Sequence, residues 1–143
     1  MILLSSSIRE AIFTHACEGY PNEVCGLLVG KSSGVNFTAC REAIDAIRVE
    51  NIEEEMPKIR YKMNPDDMAK GSALARQKGL DIIGFYHSHP DHPAQASQTD
   101  LENSSPWGGY SYPIVSVIGG TVADFRCWYR EGEAWIEEPV TII

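Results

Sequence analysis

The segment Leu80-Asp-Ile-Ile-Gly-Phe-Tyr86 runs directly into His87-Ser88-His89, and this junction constrains the chain more than any other stretch. The run is short, mostly apolar and preceded by Gly79, so it reads as a strand rather than a helix. Upstream, Asn64-Pro65-Asp66-Asp67 carries a capping Asn, a Pro in the first turn and acids at the positive end of a helix dipole. A helix is therefore expected from there to Gly79. Residues two apart on an extended chain face the same side, so the strand presents His87 and His89 together.

The remaining segments fit around this helix–strand unit. Ser7 and Glu10 have capping-box spacing; Ile8, Ala11, Ile12 and His15 recur at helical intervals, and the helix is expected to end near Gly19-Tyr20-Pro21. Residues 23–30 form a short apolar run bounded by turn residues, expected as a buried strand. Lys31-Ser-Ser-Gly34 is a turn, so residues 35–41 are expected to pair back as a hairpin. Residues 50–60, with Glu53-Glu54-Glu55 and Pro57, read as an exposed loop before a short strand near residues 59–62. Residues 90–96 and 103–112 read as loops around a short helix beginning at Ser97. Residues 112–118, 122–130 and 134–142 are expected as three closing strands.

Two main helices, a short third helix and about six strands make an α/β domain with a mixed, largely antiparallel sheet, lacking the regular βαβ alternation of a doubly wound fold. At 143 residues the chain is expected to form a single domain spanning 1–143. A net charge of −8 with no cluster of basic residues argues against a nucleic-acid surface. No run approaches the roughly 20 apolar residues of a membrane span. The start lacks the basic lead and long apolar run of a secretory signal, so a cytoplasmic location is expected. Cys17, Cys25, Cys40 and Cys127 form no Cys-x-x-Cys pair and read as reduced, mostly buried residues.

Two imidazoles on one strand face suit zinc, and a third, carboxylate ligand leaves a position open for water. Asp100 supplies that carboxylate if the 90–99 segment folds back. Each piece also has a plainer reading: a His pair at a strand end can be accidental, Ser97 with Asp100 is a helix cap, and Glu23 alone is a solvated carboxylate at a strand entry.

Taken together, Glu23, His87-Ser88-His89-Pro90, Ser97 and Asp100 resemble the JAMM (MPN+) metalloprotease motif, His-x-His-x7-Ser-x-x-Asp with an upstream Glu. The similarity extends from about Ser5 to the C-terminus and is to the compact bacterial branch. The resemblance implies a JAMM/MPN-like domain holding one catalytic zinc ion through His87, His89 and Asp100. It implies that Glu23 acts as general base, taking a proton from the attacking water and passing it to the leaving amine, and that Ser97 helps bind the water and stabilise the oxyanion. It implies hydrolysis of a peptide or isopeptide bond, with a protein or peptide substrate such as the tail of a ubiquitin-like sulfur carrier. A non-catalytic MPN-type scaffold is the alternative.

A rival motif overlaps the first. His87-Ser-His89-Pro-Asp91-His92 also matches His-x-His-x-Asp-His of metallo-β-lactamase-type hydrolases. That fold needs further downstream histidines, and none follows His92, so Asp91 and His92 read as loop residues. His15 reads as a satisfied histidine on an apolar helix face. Cys25 reads as core, and Ser88 as pointing away from the metal. Trp107, Tyr110 and Tyr112 are candidates either for a substrate groove or for a packed loop.

Overall fold

The computed structural model describes residues 1–106 and 108–143; Trp107 lies outside the described residues. The elements are β1 (Ile2–Leu4), α1 (Ser6–Gly19), β2 (Cys25–Ser32), β3 (Arg41–Val49), α2 (Pro65–Gln77), β4 (Asp81–Pro90), α3 (Gln98–Asn103), β5 (Ser111–Ile118), β6 (Thr121–Glu131), β7 (Ala134–Glu138) and β8 (Val140–Ile142). The expected α/β class with a mixed sheet is present, with eight strands where about six were expected, in the order β7-β6-β5-β4-β2-β3-β1-β8. Pairs β2–β3, β2–β4, β5–β6 and β6–β7 are antiparallel; β1–β3, β1–β8 and β4–β5 are parallel.

The two ends of that order are neighbours in the chain. Only Pro139 separates β7 from β8, and its carbonyl accepts the Ile2 N–H at 3.0 Å. The sheet therefore closes on itself, and the strand expected over 134–142 is two strands broken at a residue that has no N–H to donate. Arg41, on β3, reaches through the interior. Its guanidinium donates to Ser111 Oγ at 2.7 Å and to Glu138 Oε2 at 2.9 Å, and both charged side chains are fully buried.

Several boundaries differ from the sequence expectations. The partner of β2 is residues 41–49, because residues 33–40 form a compact connection in which Ser33 Oγ accepts the Cys40 N–H. Residues 59–62 are not a strand; only the Asn51–Met63 bridge forms there. Helix α1 is capped by Ser5, whose hydroxyl accepts the Ile8 N–H, and not by Ser7. The cap of α2 is Asn64, as expected.

Alternation along β4, interrupted by a register shift between Ile82 and Gly84, divides the core. Ile83 and Tyr86 pack toward α1 with Ile12, Ala16, Leu28 and Val115. Phe85 faces the other side, against α2, with Leu27, Tyr61 and Met68. Gly71 lets α2 approach the sheet, since a methyl group there would run into Leu27. Because β4 is hydrogen-bonded to β2 on one side and β5 on the other, His87 and His89 sit on a fixed, central support.

Candidate metal centre

His87 and His89 lie on the α2-side face of β4, the parity of Phe85, while Ser88 between them faces the opposite way. The Ser88 hydroxyl accepts the Val24 N–H at 2.9 Å, and the Ser88 N–H donates to the Val24 carbonyl at 3.1 Å. This double tie places Glu23 beside the histidine strand. Loop 50–63 holds Glu23 from the other side: its N–H donates to Pro57 O at 2.7 Å, and its carbonyl accepts Asn51 Nδ2 at 2.9 Å.

Asp100 arrives on α3. A helix of six residues is too short to be stable alone, and its ends are held by other parts of the chain. At the start, Ser97 and Asp100 form a reciprocal capping box: Ser97 Oγ accepts the Asp100 N–H at 3.0 Å, and Asp100 Oδ2 accepts the Ser97 N–H at 2.9 Å. Trp135 Nε1 donates to the Ser97 carbonyl at 3.1 Å. At the far end, the buried Arg130 donates to Leu101 O, Ser104 O and Ser104 Oγ at 3.0–3.2 Å. Sequence reasoning missed Arg130 and Trp135; an Arg in an apolar strand is the one signal that could have marked the first.

The three candidate ligands converge. His87 Nε2 lies 3.0 Å from Asp100 Oδ1, His89 Nε2 lies 3.1 Å from Asp100 Oδ2, and the two Nε2 atoms are 3.1 Å apart. All three residues are buried, and they are the group able to hold a metal among the described residues. His89 Nδ1 lies 2.7 Å from the Pro93 carbonyl. A carbonyl only accepts, so Nδ1 carries a proton and Nε2 is the atom turned to the cluster, donating to Asp100 Oδ2 when the ring is charged and offering a lone pair when it is not. The Tyr61 ring lies against the His87 ring, tilted by 33° with centroids 4.7 Å apart.

The charges of the cluster are mutually dependent. Burial alone would push the Asp100 carboxyl upward, but the two imidazoles against it win and hold it well below the usual carboxylate range. Burial lowers His87, outweighing Asp100, so its imidazole is kept neutral. Burial also opposes a charge on His89, but its bond to Asp100 raises it overall. Glu23, 5% exposed, is pushed up to about 8, mainly by burial, with His89 pulling down and Asp100 pushing up.

This donor set fits a metal. Two imidazoles and one carboxylate are a catalytic zinc set with a position left over. Glu23 Oε1 is buried without a hydrogen-bond partner, which is the signature of an acceptor awaiting a group that belongs in the site. Asp91 and His92 do not join the cluster: the Asp91 carboxylate binds Tyr20 and Gly119, and His92 is exposed. The lactamase-type grouping is therefore not formed.

The sequence profile described as prokaryotic homologs of the JAB domain matches residues 5–131. The chain belongs to this JAMM/MPN family. A desampylase from Haloferax volcanii is 36% identical over 124 residues, which cover 84% of each chain. A desampylase from Pyrococcus furiosus is 26% identical over 122 residues, covering 85% of this chain and 76% of that one. The solution structure of a protein from Desulfitobacterium hafniense matches with a TM-score of 0.85 at 26% identity, covering 100% of this chain and 93% of that one. As a JAMM/MPN protein the chain is a hydrolase of the metallopeptidase and isopeptidase class.

Beside the centre, a cavity of about 350 Å³ has an apolar wall of Tyr61, Met63, Met68, Phe85 and Tyr112 and a polar one of Lys62, Asn103, Ser104 and Ser105. Tyr112 is buried and stacks on Phe85 at 5.7 Å, and Tyr110 meets the same ring at 5.2 Å. Tyr110, just before β5, and Tyr112, on β5, are thus packed against Phe85, with Tyr112 also lining the cavity. Among the described residues no helix is long and apolar enough to cross a membrane.

Proposed function

We propose that the chain works as one zinc metallopeptidase domain that releases ubiquitin-like proteins from isopeptide or peptide linkage. The observation that carries this reading is Glu23 Oε1, a buried acceptor with no partner, on a residue electrostatically coupled to His89 and Asp100. His87, His89 and Asp100 would hold the metal through Nε2, Nε2 and a carboxylate oxygen. When bound, zinc supplies Lewis-acid activation of water and of the scissile carbonyl. Burial raises the Glu23 carboxyl in the metal-free site, a bound dication would draw it back down, and a carboxylate held there can both accept and return a proton. It takes the proton of the attacking water and delivers it to the leaving amine.

Ser97 has a second part in this reading. Its Oγ accepts the Asp100 N–H and so keeps its own hydroxyl hydrogen free to donate. That hydrogen would stabilise charge developing on the carbonyl oxygen. The cavity that Tyr61 shares with the His87 ring, apolar on one wall and polar on the other, suits a side chain of an extended substrate tail. The net charge of −8 disfavours nucleic acid as the ligand. The desampylase activity of the named relatives supports a ubiquitin-like substrate; a small sulfur carrier with a glycine-ended tail belongs to the same chemical class. The free state of all four cysteines is consistent with action in the cytoplasm.

The test is to count bound zinc, then follow cleavage of conjugated and tail-extended ubiquitin-like proteins by mass for the wild type and Glu23→Gln. One zinc is expected in both, with cutting slowed at least about 100-fold in the variant. Folded protein that takes up no zinc, or equal cutting by the variant, would sink the reading. Tight binding of the modifier without cutting by either would favour the scaffold alternative.

A further inference from the structure

Asp91 is the one non-glycine residue with positive φ, 58°, among the described residues. Left-handed backbone at such a position carries a cost and persists where surrounding contacts hold it. Those contacts are specific. The Asp91 carboxylate accepts the Tyr20 hydroxyl at 2.8 and 3.0 Å and the Gly119 N–H at 2.9 Å, while its own N–H donates to Val117 O at 2.7 Å. The turn so fixed leads directly into Pro93, whose carbonyl receives the His89 Nδ1 proton. Further along, Ser116 Oγ donates to His92 O at 2.5 Å and Trp128 Nε1 to Ala94 O at 2.9 Å.

We propose that Asp91, clipped by Tyr20, is a positioning residue that sets the Pro93 carbonyl and thereby the tautomer and direction of His89. The carboxylate does not touch the metal cluster; it acts through the turn. This assigns a role to the Asp91 of the overlapping motif without making it a ligand. The inference rests on the metal reading above for its effect on zinc, but its structural part concerns His89 alone. Outer partners that orient a ligating histidine typically tune metal affinity by about 10- to 100-fold.

Two variants separate the clip from the backbone. Tyr20→Phe removes only the hydroxyl. Asp91→Gly removes the carboxylate while tolerating left-handed backbone at no cost. In the metal-free protein, ¹⁵N shifts of the His89 ring should report a proton on Nδ1 in the wild type, whether or not Nε2 also carries one toward Asp100, and a smaller Nδ1–H population in both variants. After zinc loading, release to an excess chelator should be about tenfold faster in each, with the double variant no faster than Asp91→Gly because both remove one clip. The urea midpoint of metal-free Tyr20→Phe should stay that of the wild type. Wild-type tautomer and release in both variants would overturn the proposal. A wild type that binds no zinc would overturn the metal reading instead, and the ring shifts would still decide whether the clip sets His89.

Discussion

The Ser88 hydroxyl, fully buried between the two histidines of β4, accepts the Val24 N–H at 2.9 Å. One hydrogen bond thus couples the strand that offers His87 and His89 to the residue that follows Glu23, so base and ligands share a frame. Ser88→Ala leaves the Val24 N–H without this partner in an interior site. The expected cost is about 1–3 kcal/mol of stability, together with an activity loss of up to about 100-fold as Glu23 loses its register. Urea unfolding and kcat/KM read the two effects. Wild-type kcat/KM would separate Ser88 from the positioning of Glu23.

Arg130 should matter for Asp100 although it lies on β6. Its fork satisfies Leu101 and Ser104 at the end of α3, and its charge lies at the negative end of that helix. Arg130→Met is expected to cost about 1–3 kcal/mol through the carbonyls it leaves unpaired and to weaken zinc binding in chelator competition. Arg130→Lys keeps the charge but not the planar fork, so it should recover little. Full zinc affinity in both variants would show that α3 holds Asp100 without this anchor.

Much of this centre was legible in the chain because it rests on short-range geometry. The period of two along β4 puts His87 and His89 together, and the three-residue step from Ser97 to Asp100 produces the capping box. The Asn64 cap was equally readable. What escaped were features decided by distant partners. Residues 41–49 carry Arg41, Glu42, Asp45 and Arg48, which hide a strand whose Arg41 is paired with Glu138 inside the closed sheet. Ile2–Leu4 is too short to announce a strand, and it forms because β3 and β8 flank it. Arg130 and Trp135 gain their meaning only once β6 and β7 reach α3.

A pH effect is expected away from the metal. His15 Nδ1 lies 2.7 Å from the Tyr86 hydroxyl, and burial first, then Arg48, lowers its pKa to about 4, with Glu18 pulling the other way. A lowered histidine pKa means that the folded state favours the neutral ring. The stabilising effect is therefore complete above about 6.5 and is lost as pH falls through about 4. His15→Gln keeps an acceptor for Tyr86 without the titration. The urea midpoint of the metal-free variant should fall less than the wild type's over this window; an equal fall would remove His15 as the source.

If His87, His89 and Asp100, whose polar atoms lie 3.0–3.1 Å apart, are the ligands of one metal centre, each is needed to retain the ion. Native mass spectrometry of zinc-loaded protein tests it most directly, comparing the wild type with His89→Ala and Asp100→Ala. The expected result is one zinc ion on the folded wild type and its loss from both variants under the same chelator challenge. Retention of a single zinc by both folded variants would place the metal elsewhere and contradict the account.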